Sequence, residues 1–236
     1  MIIIPARLKS SRFSEKILVP IKGIPMCIYT ALNASKADRV VIATDSSKVL
    51  ELAKEYNLTA ILTKQTHESG TERLAECVDI LGLNDDELII NLQADEPLFE
   101  LSNLIKFKEF CNEFKNEFFM ASCYTIKDTP SDENMVKVVL DTKQNAIYFS
   151  RAVIPYDRDK KGVKYNHHLG IYAYTAKSLK EFITLKSSLE HIEKLEQLRA
   201  IENGKIIKMC EINTKSFGID TKADYERLLQ VLENDK

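Results

Sequence analysis

Glycine and proline number only seven and six among 236 residues and gather nowhere into a flexible tract. With no internal repeat and no low-complexity segment either, the chain reads as one domain rather than two joined by a linker. No apolar run approaches the roughly 18–20 residues that crossing a bilayer requires, which excludes a helical membrane span. The opening MIIIPAR has no basic stretch followed by a long apolar one, which argues against a secretory signal. The five cysteines, Cys27, Cys77, Cys111, Cys123 and Cys210, are an odd set without a C-x-x-C pair, so neither a disulfide framework nor a zinc site is expected. Charge of one sign is missing too. Lys and Arg number 33 against 35 Asp and Glu, a formal charge of −2, and such a balance gives no reason to expect nucleic acid or a lipid surface as partner. What is present, 44% apolar and 29% charged residues, serves a buried core and a solvated surface and excludes a disordered chain. A soluble, reduced, cytoplasmic protein is expected.

The first half alternates β-branched apolar runs with amphipathic stretches. Strands are expected at 2–4, 39–43, 59–62 and 88–92, and helices at 26–35, 48–56 and 71–81, with Thr44, Asp45 and Ser46 offering side-chain oxygens as caps for the second helix. Runs that are apolar throughout suit strands buried on both faces, hence a mostly parallel central sheet flanked by helices. After about residue 118 the rhythm changes to strands at 119–124, 136–140, 146–150 and 169–174 with few helices between them, the pattern of a smaller antiparallel lobe. A helix is expected over 189–202, with Ile192, Leu195, Leu198 and Ile201 on one side. A strand at 205–212 and a helix at 222–232 close the pattern. The fold class is α/β, in a single domain over 1–236 whose subsidiary lobe spans about 119–200.

Three groups of residues could carry chemistry. IIIPARLKSSRFSEK, residues 2–16, holds Arg7, Lys9, Arg12 and Lys16 against one acid, Glu15, a local charge of +3. It follows a buried strand, which sets it at the carboxyl edge of the sheet where open α/β folds bind ligands. Small residues there allow an anion close to the backbone, and Arg and Lys can surround phosphates. The stretch after the strand has no glycine and no P-loop pattern, so an ATPase-type cradle is absent. Next, NLQADEP (91–97) places Gln93, Asp95 and Glu96 just past a strand, as a Mg²⁺–polyphosphate site would need. Asp220 in FGIDT is a second candidate acid; capping of the helix that follows is its plainer use. The third group, HESGTERLAE (67–76), YFSRAVIPYDRD (148–159) and HHLGIYAY (167–174), supplies Arg73, Arg151, Arg158 and His168, which could bind a second anion. No spacing suggests a nucleophilic triad.

Taken in order from residue 2 to residue 221, these blocks, with ATDS, VKVVLD and LEHIEKLEQLR, resemble the 3-deoxy-manno-octulosonate cytidylyltransferases, the CMP-Kdo synthetase family. SGTER, FSRA-IP and HLGIY together are specific to it. The resemblance implies a Rossmann-like nucleotidyltransferase fold, a homodimer with the 150–200 region in the contact, and the Mg²⁺-dependent reaction of CTP with 3-deoxy-D-manno-octulosonate (Kdo) to CMP-Kdo and diphosphate, which activates the sugar for lipopolysaccharide synthesis. By position, Arg7 and Lys16, with Arg12 beside them, match residues that hold the CTP phosphates. Asp95 and Asp220 match the acids that hold magnesium. Gln93, Arg73, His168, Tyr172, Glu196 and Gln197, with Arg151 and Arg158, match the sugar pocket. In this picture Lys16 and Arg7 stabilise developing charge, and Arg73 pairs the sugar carboxylate or orients the sugar. Where the family usually reads Q-G-D-E-P this chain has Ala94, which fits provided its φ is negative. A cytidylyltransferase for 8-amino-Kdo or sialic acid, a non-catalytic nucleotide-binding regulator and a metal-dependent glycosyltransferase are the alternatives. The 167–174 and 189–199 blocks argue against sialic acid, intact Asp95, Asp220 and Lys16 against the regulator, and the lack of an acceptor-sized extra domain against the glycosyltransferase.

Overall fold

Ile2, Ile3 and Ile4 have no exposed surface, and the first strand they form sets the frame of the molecule. The computed structural model describes residues 1–8, 13–128 and 134–234. In chain order the elements are β1 (Ile2–Ala6), a single 3₁₀ turn (Lys16–Leu18), β2 (Pro20–Ile21), β3 (Ile24–Pro25), α1 (Met26–Ala34), β4 (Val40–Thr44), α2 (Ser47–Glu55), β5 (Thr59–Leu62), α3 (Gly70–Leu81), β6 (Leu88–Asn91), α4 (Leu101–Glu113), β7 (Met120–Lys127), β8 (Lys137–Leu140), β9 (Ala146–Ser150), β10 (Tyr165–Thr175), α5 (Ala176–Phe182), α6 (Leu189–Glu193), α7 (Leu198–Glu202), β11 (Ile207–Glu211) and α8 (Lys222–Asn234). The chain divides into two compact units, one of Met1–Gly82, Asn91–Ile105 and Lys215–Lys236, the other of Leu83–Ile90 and Lys106–Thr214. Among the described residues no helix is long and apolar enough to cross a membrane.

In the first unit β1, β4 and β5 run parallel, with Ile2 opposite Val40 and Ala6 opposite Thr44. All five residues of β1 and of β4 are buried, as expected of strands covered on both faces. α3 starts on Ser69, whose hydroxyl accepts the Glu72 N–H, and stops at Gly82, whose φ of 62° is the left-handed conformation glycine adopts without strain. α2 departs from expectation at its start: no side chain caps it. The Asp45 carboxylate is turned instead to the Leu8 N–H at 3.1 Å and to Arg73 at 3.1 Å. A tight hairpin joins β2 to β3 through Lys22 and Gly23, both at positive φ, the geometry of a two-residue turn. Ile21 and Met26 pack with Ile219, Leu228 and Leu232 in an apolar cluster that docks α8.

In the second unit the strand order is β11-β7-β10-β6, with β8 and β9 extending from β10. β11 lies parallel to β7, while β7–β10 and β8–β9 are antiparallel. The pairing of β10 with β7 shifts between Leu169 and Tyr172, leaving Gly170 and Ile171 out of register; this bulge recurs below. The α/β class and the change of rhythm after residue 118 are as the sequence indicates. Two helices escape that reading. α4 buries Leu104, Phe107 and Cys111 at helical spacing, and α5 starts on a capping box in which Thr175 and Ser178 bond reciprocally. The helix expected over 189–202 is two short ones, broken where Lys194 takes φ 55°, and Ile192 ends 76% exposed.

Glu202 ties the end of α7 back to the start of α6: its carboxylate accepts from the Ser187 and Ser188 hydroxyls and the Leu189 N–H. These bonds hold its pKa near 2, against an ordinary value of 4.5. Because the folded value is depressed, the contribution to stability is whole above about pH 4.5 and is lost as pH falls towards 2. Urea unfolding of Glu202→Gln is expected to show a smaller loss of stability across that interval than the parent; equal slopes would overturn the assignment.

Candidate active site

Lys16 opens the 3₁₀ turn, which buried Ile17 anchors in the first unit. Its ammonium lies 2.5 Å from Asp95 Oδ2 and donates to Asp220 Oδ1 at 2.8 Å. Asp95 sits in the loop after β6, where the Thr30 hydroxyl donates to the Ala94 carbonyl and the Ile219 N–H donates to the Asp95 carbonyl. Ala94 is not among the non-glycine residues with positive φ, so the methyl is accommodated as expected. Asp220 is delivered by the segment before α8. Ser216 Oγ donates to Glu96 Oε2 at 2.9 Å, and the Lys215 N–H donates to Glu100 Oε1. Asp224, not Asp220, receives the N–H groups of residues 220 and 221, while the Asp220 carboxylate accepts from Lys16. Burial alone would lower the Lys16 ammonium; the Asp95 and Asp220 carboxylates outweigh it and the net shift is upward. Burial pushes Glu96 up to about 7 against the pull of the Ser216 bond, with Asp95, Glu100 and Asp220 adding to the rise.

Two carboxylate oxygens that converge on one ammonium also offer a shared point to a divalent cation. Mg²⁺ is commonly held by one or two carboxylates with water and phosphate oxygens completing the shell, so the pair fits it. Among the described residues no group of three or more His, Cys, Asp or Glu could hold a metal.

Arg7 is exposed and lines a cleft of about 290 Å³ with Leu8, Asp45, Ser46, Ser47, Gln65 and His67. Of these only Arg7 is a residue to which sequence reasoning gave a binding role, although Leu8, Asp45, Ser46 and His67 lie in motifs it singled out. Arg12 lies outside the described residues. Arg73, on α3, is 1% exposed, and its guanidinium donates to Thr63 Oγ1, to the Lys64 carbonyl and to Asp45 Oδ2. It therefore underlies the cleft through Asp45 and shows no free face to a ligand. Arg73→Ala is expected to cost about 3–5 kcal/mol of stability, the usual penalty for leaving one partner of a buried pair. Chemical denaturation checks this, and a loss under 1 kcal/mol would overturn it. Gln93 is partly buried and donates to Asn91 Oδ1 at 3.3 Å.

A second cluster lies in the second unit on β7, β10 and the residues before α7. His168 Nε2 is 3.0 Å from Ser122 Oγ, and its Nδ1 is 3.5 Å from Gln197 Nε2. Tyr172 Oη donates to Gln197 Oε1 at 3.4 Å. The Phe149 ring meets the His168 ring edge-on, and Tyr172 packs beside it. Burial lowers His168 to about 3, keeping the imidazole neutral, and raises the Tyr172 phenol. Glu196 lies 3.7 Å from Arg199, which itself grips Glu190. Arg151 donates to the Glu193 and Lys194 carbonyls and its N–H to Glu193 Oε2, holding the break after α6. Arg158 is exposed. The structure thus gathers Lys16, Asp95 and Asp220 in one unit and His168, Tyr172 and Gln197 in the other. Ser122, buried on β7, was not singled out from the sequence, where a lone serine in an apolar run carries no signal.

These carboxylates and cations at strand ends are what a nucleotidyltransferase requires, and residues 1–208 match the cytidylyltransferase family. A 3-deoxy-manno-octulosonate cytidylyltransferase from a Nitratiruptor species is 51% identical over 97% of this chain and 98% of its own length. That from Wolinella succinogenes is 47% identical over 98% of each chain, and that from Helicobacter pylori (strain G27) 44% identical over 100% of this chain and 98% of its own. Among solved structures, a CMP:2-keto-3-deoxy-manno-octonic acid synthetase complexed with CTP superposes with a TM-score of 0.93 at 33% identity, covering 100% of this chain and 98% of that one. The chain belongs to the 3-deoxy-manno-octulosonate cytidylyltransferase family.

Proposed function

We propose that this protein transfers CMP from CTP to Kdo, releasing diphosphate. The observation that carries the reading is the convergence of Asp95 and Asp220 on the Lys16 ammonium, in a chain 43–51% identical over nearly its whole length to curated proteins of that name. The anomeric hydroxyl oxygen of Kdo forms a new bond to the α-phosphorus, the α–β phosphoanhydride breaks, diphosphate departs, and the hydroxyl proton passes to solvent. The difficulty is negative charge gathering on phosphoryl oxygens, so the protein's task is positioning and electrostatic stabilisation rather than covalent catalysis.

Asp95 and Asp220 would hold Mg²⁺, which when bound neutralises phosphate charge and acidifies the attacking hydroxyl. Lys16, with Arg7 and Arg12, supplies fixed positive charge to the triphosphate. The cleft bounded by Arg7, Asp45, Ser46, Gln65 and His67 suits a nucleoside, with polar groups on its walls to orient the base and ribose. Neutral His168 with Tyr172, Gln197 and Glu196 serves the sugar hydroxyls. Arg151 and Arg158 complete the sugar set, whereas Arg73 supports the nucleoside cleft through Asp45. Exposed Ile147, Val153, Tyr156 and Ile192 in the second unit support a homodimer, since apolar surface of this kind is what an interface covers. A substrate drawn from the CTP pool supports a cytoplasmic location.

Diphosphate release with purified protein, Mg²⁺, CTP and Kdo tests the reading, with ATP, GTP and UTP, and sialic acid in place of Kdo, as comparisons. Release that needs both CTP and Kdo is the expected result. Binding of CTP without release for any sugar acid would overturn the transferase reading.

A further inference from the structure

Ser122 has no exposed surface, and it makes three polar contacts with one proton to give: the Ile171 carbonyl at 2.8 Å, the Leu169 carbonyl at 3.2 Å and His168 Nε2 at 3.0 Å. The Leu169 carbonyl precedes the bulge that leaves Gly170 and Ile171 out of register between β10 and β7, and the Ile171 carbonyl belongs to it. A carbonyl oxygen can only accept, so the hydroxyl proton belongs to them, to Ile171 by the shorter distance. The Ser122 oxygen then faces His168 Nε2 with a lone pair, and the contact is a hydrogen bond only if Nε2 carries the ring proton.

We propose that Ser122 is a positioning residue that locks His168 in the Nε2–H tautomer, so that the sugar-binding cluster presents a lone pair at Nδ1. The other groups agree in direction. With Nδ1 as acceptor, Gln197 turns its NH2 towards His168 and its Oε1 towards Tyr172, as observed, and the Tyr172 phenol donates to that oxygen. Protons thus point one way along Tyr172, Gln197, His168, Ser122 and the Ile171 carbonyl. In the opposite tautomer Gln197 would have to flip, and Ser122 would give its proton to Nε2. Its oxygen would then face two carbonyl oxygens with nothing between them, an arrangement that buried polar groups avoid. The imidazole is neutral, so the choice is between two tautomers and not with a cation. The Gln197 contact with Nδ1, at 3.5 Å, is the longest in the chain. It is the one that an incoming hydroxyl donor replaces at least expense. The sugar site is therefore selective for a ligand hydroxyl that donates at that point, an inference that rests on the functional reading above.

The test begins without substrate. Long-range ¹H–¹⁵N spectra of histidine-labelled protein at neutral pH, with His168 identified by the signals missing in His168→Gln, are expected to show the Nε2–H form. Ser122→Ala is expected to convert it to a mixture of tautomers and to raise the KM for Kdo about tenfold with the KM for CTP unchanged. Ser122→Thr, which keeps the hydroxyl on a strand that favours β-branching, is expected to restore both. An Nδ1–H or cationic His168 in the parent would overturn the proposal. So would a Ser122→Ala protein with tautomer and KM for Kdo both as in the parent, or a tautomer change with no change in that KM. Because the spectra need no ligand, a parent that shows the Nε2–H form yet ignores Kdo would refute the choice of sugar and leave the tautomer lock standing.

Discussion

Asp95→Asn is expected to lower kcat/KM for CMP transfer by about a thousandfold or more, since in the role proposed above it would replace a charged metal ligand and remove several kcal/mol of stabilisation from a transition state whose charge is spread over phosphoryl oxygens. The geometry makes this residue harder to replace than its neighbours. Its carbonyl accepts the Ile219 N–H and its carboxylate lies 2.5 Å from Lys16, so backbone and side chain both define the site. Asparagine keeps the shape and one oxygen, which confines the change to charge. Steady-state rates across a Mg²⁺ titration check the prediction, and the loss should be deepest at limiting Mg²⁺. Near-parental turnover under those conditions would remove Asp95 from the metal site.

Lys16→Ala is expected to reduce kcat about 100- to 1,000-fold while changing the KM for Kdo less than about threefold, the pattern of a group whose charge matters most as diphosphate leaves. The side chain is 12% exposed between two carboxylates, so the variant also leaves Asp95 and Asp220 facing each other uncompensated. Their repulsion should appear as a lower Tm in metal-free buffer. The opposite kinetic pattern, a raised KM for Kdo at unchanged kcat, would move Lys16 to the sugar side.

Much of the fold can be read locally. Continuous apolar runs identify β1 and β4 because covered strands need no polar face, and α3 shows its face at 74, 75 and 78. Where the reading stops short, the reason is tertiary. Leu195 and Leu198 are indeed buried, but the turn at Lys194 is held by Arg151, 43 residues away in the chain, which donates to the Glu193 and Lys194 carbonyls. α4 carries a usable signal in Leu104, Phe107 and Cys111, and its polar neighbours obscure it. The site is harder. Nothing in the local pattern of an acidic turn and a pre-helix aspartate joins Asp95 to Asp220; family resemblance supplied that pair, and the Lys16 ammonium shows that the two acids meet. Arg73 is the instructive case. Its motif marks it as important, yet only coordinates reveal that its charge is spent on Asp45 beneath the cleft.

The first unit is assembled from three stretches of chain, the last beginning at Lys215, and Lys16 waits for a partner 204 residues away. A ribosome delivers the basic loop and Asp95 long before it delivers Asp220, and the α8 residues Leu228 and Leu232 that pin the intervening segment come later still. In the roles proposed above, a nascent chain therefore carries its phosphate-binding charges without a finished metal site until residue 220 has emerged. Catalytic competence is in this way tied to the emergence of the segment that carries Asp220 and α8, and a fragment truncated before Asp220 would have the means to attract a nucleotide and no means to transfer it.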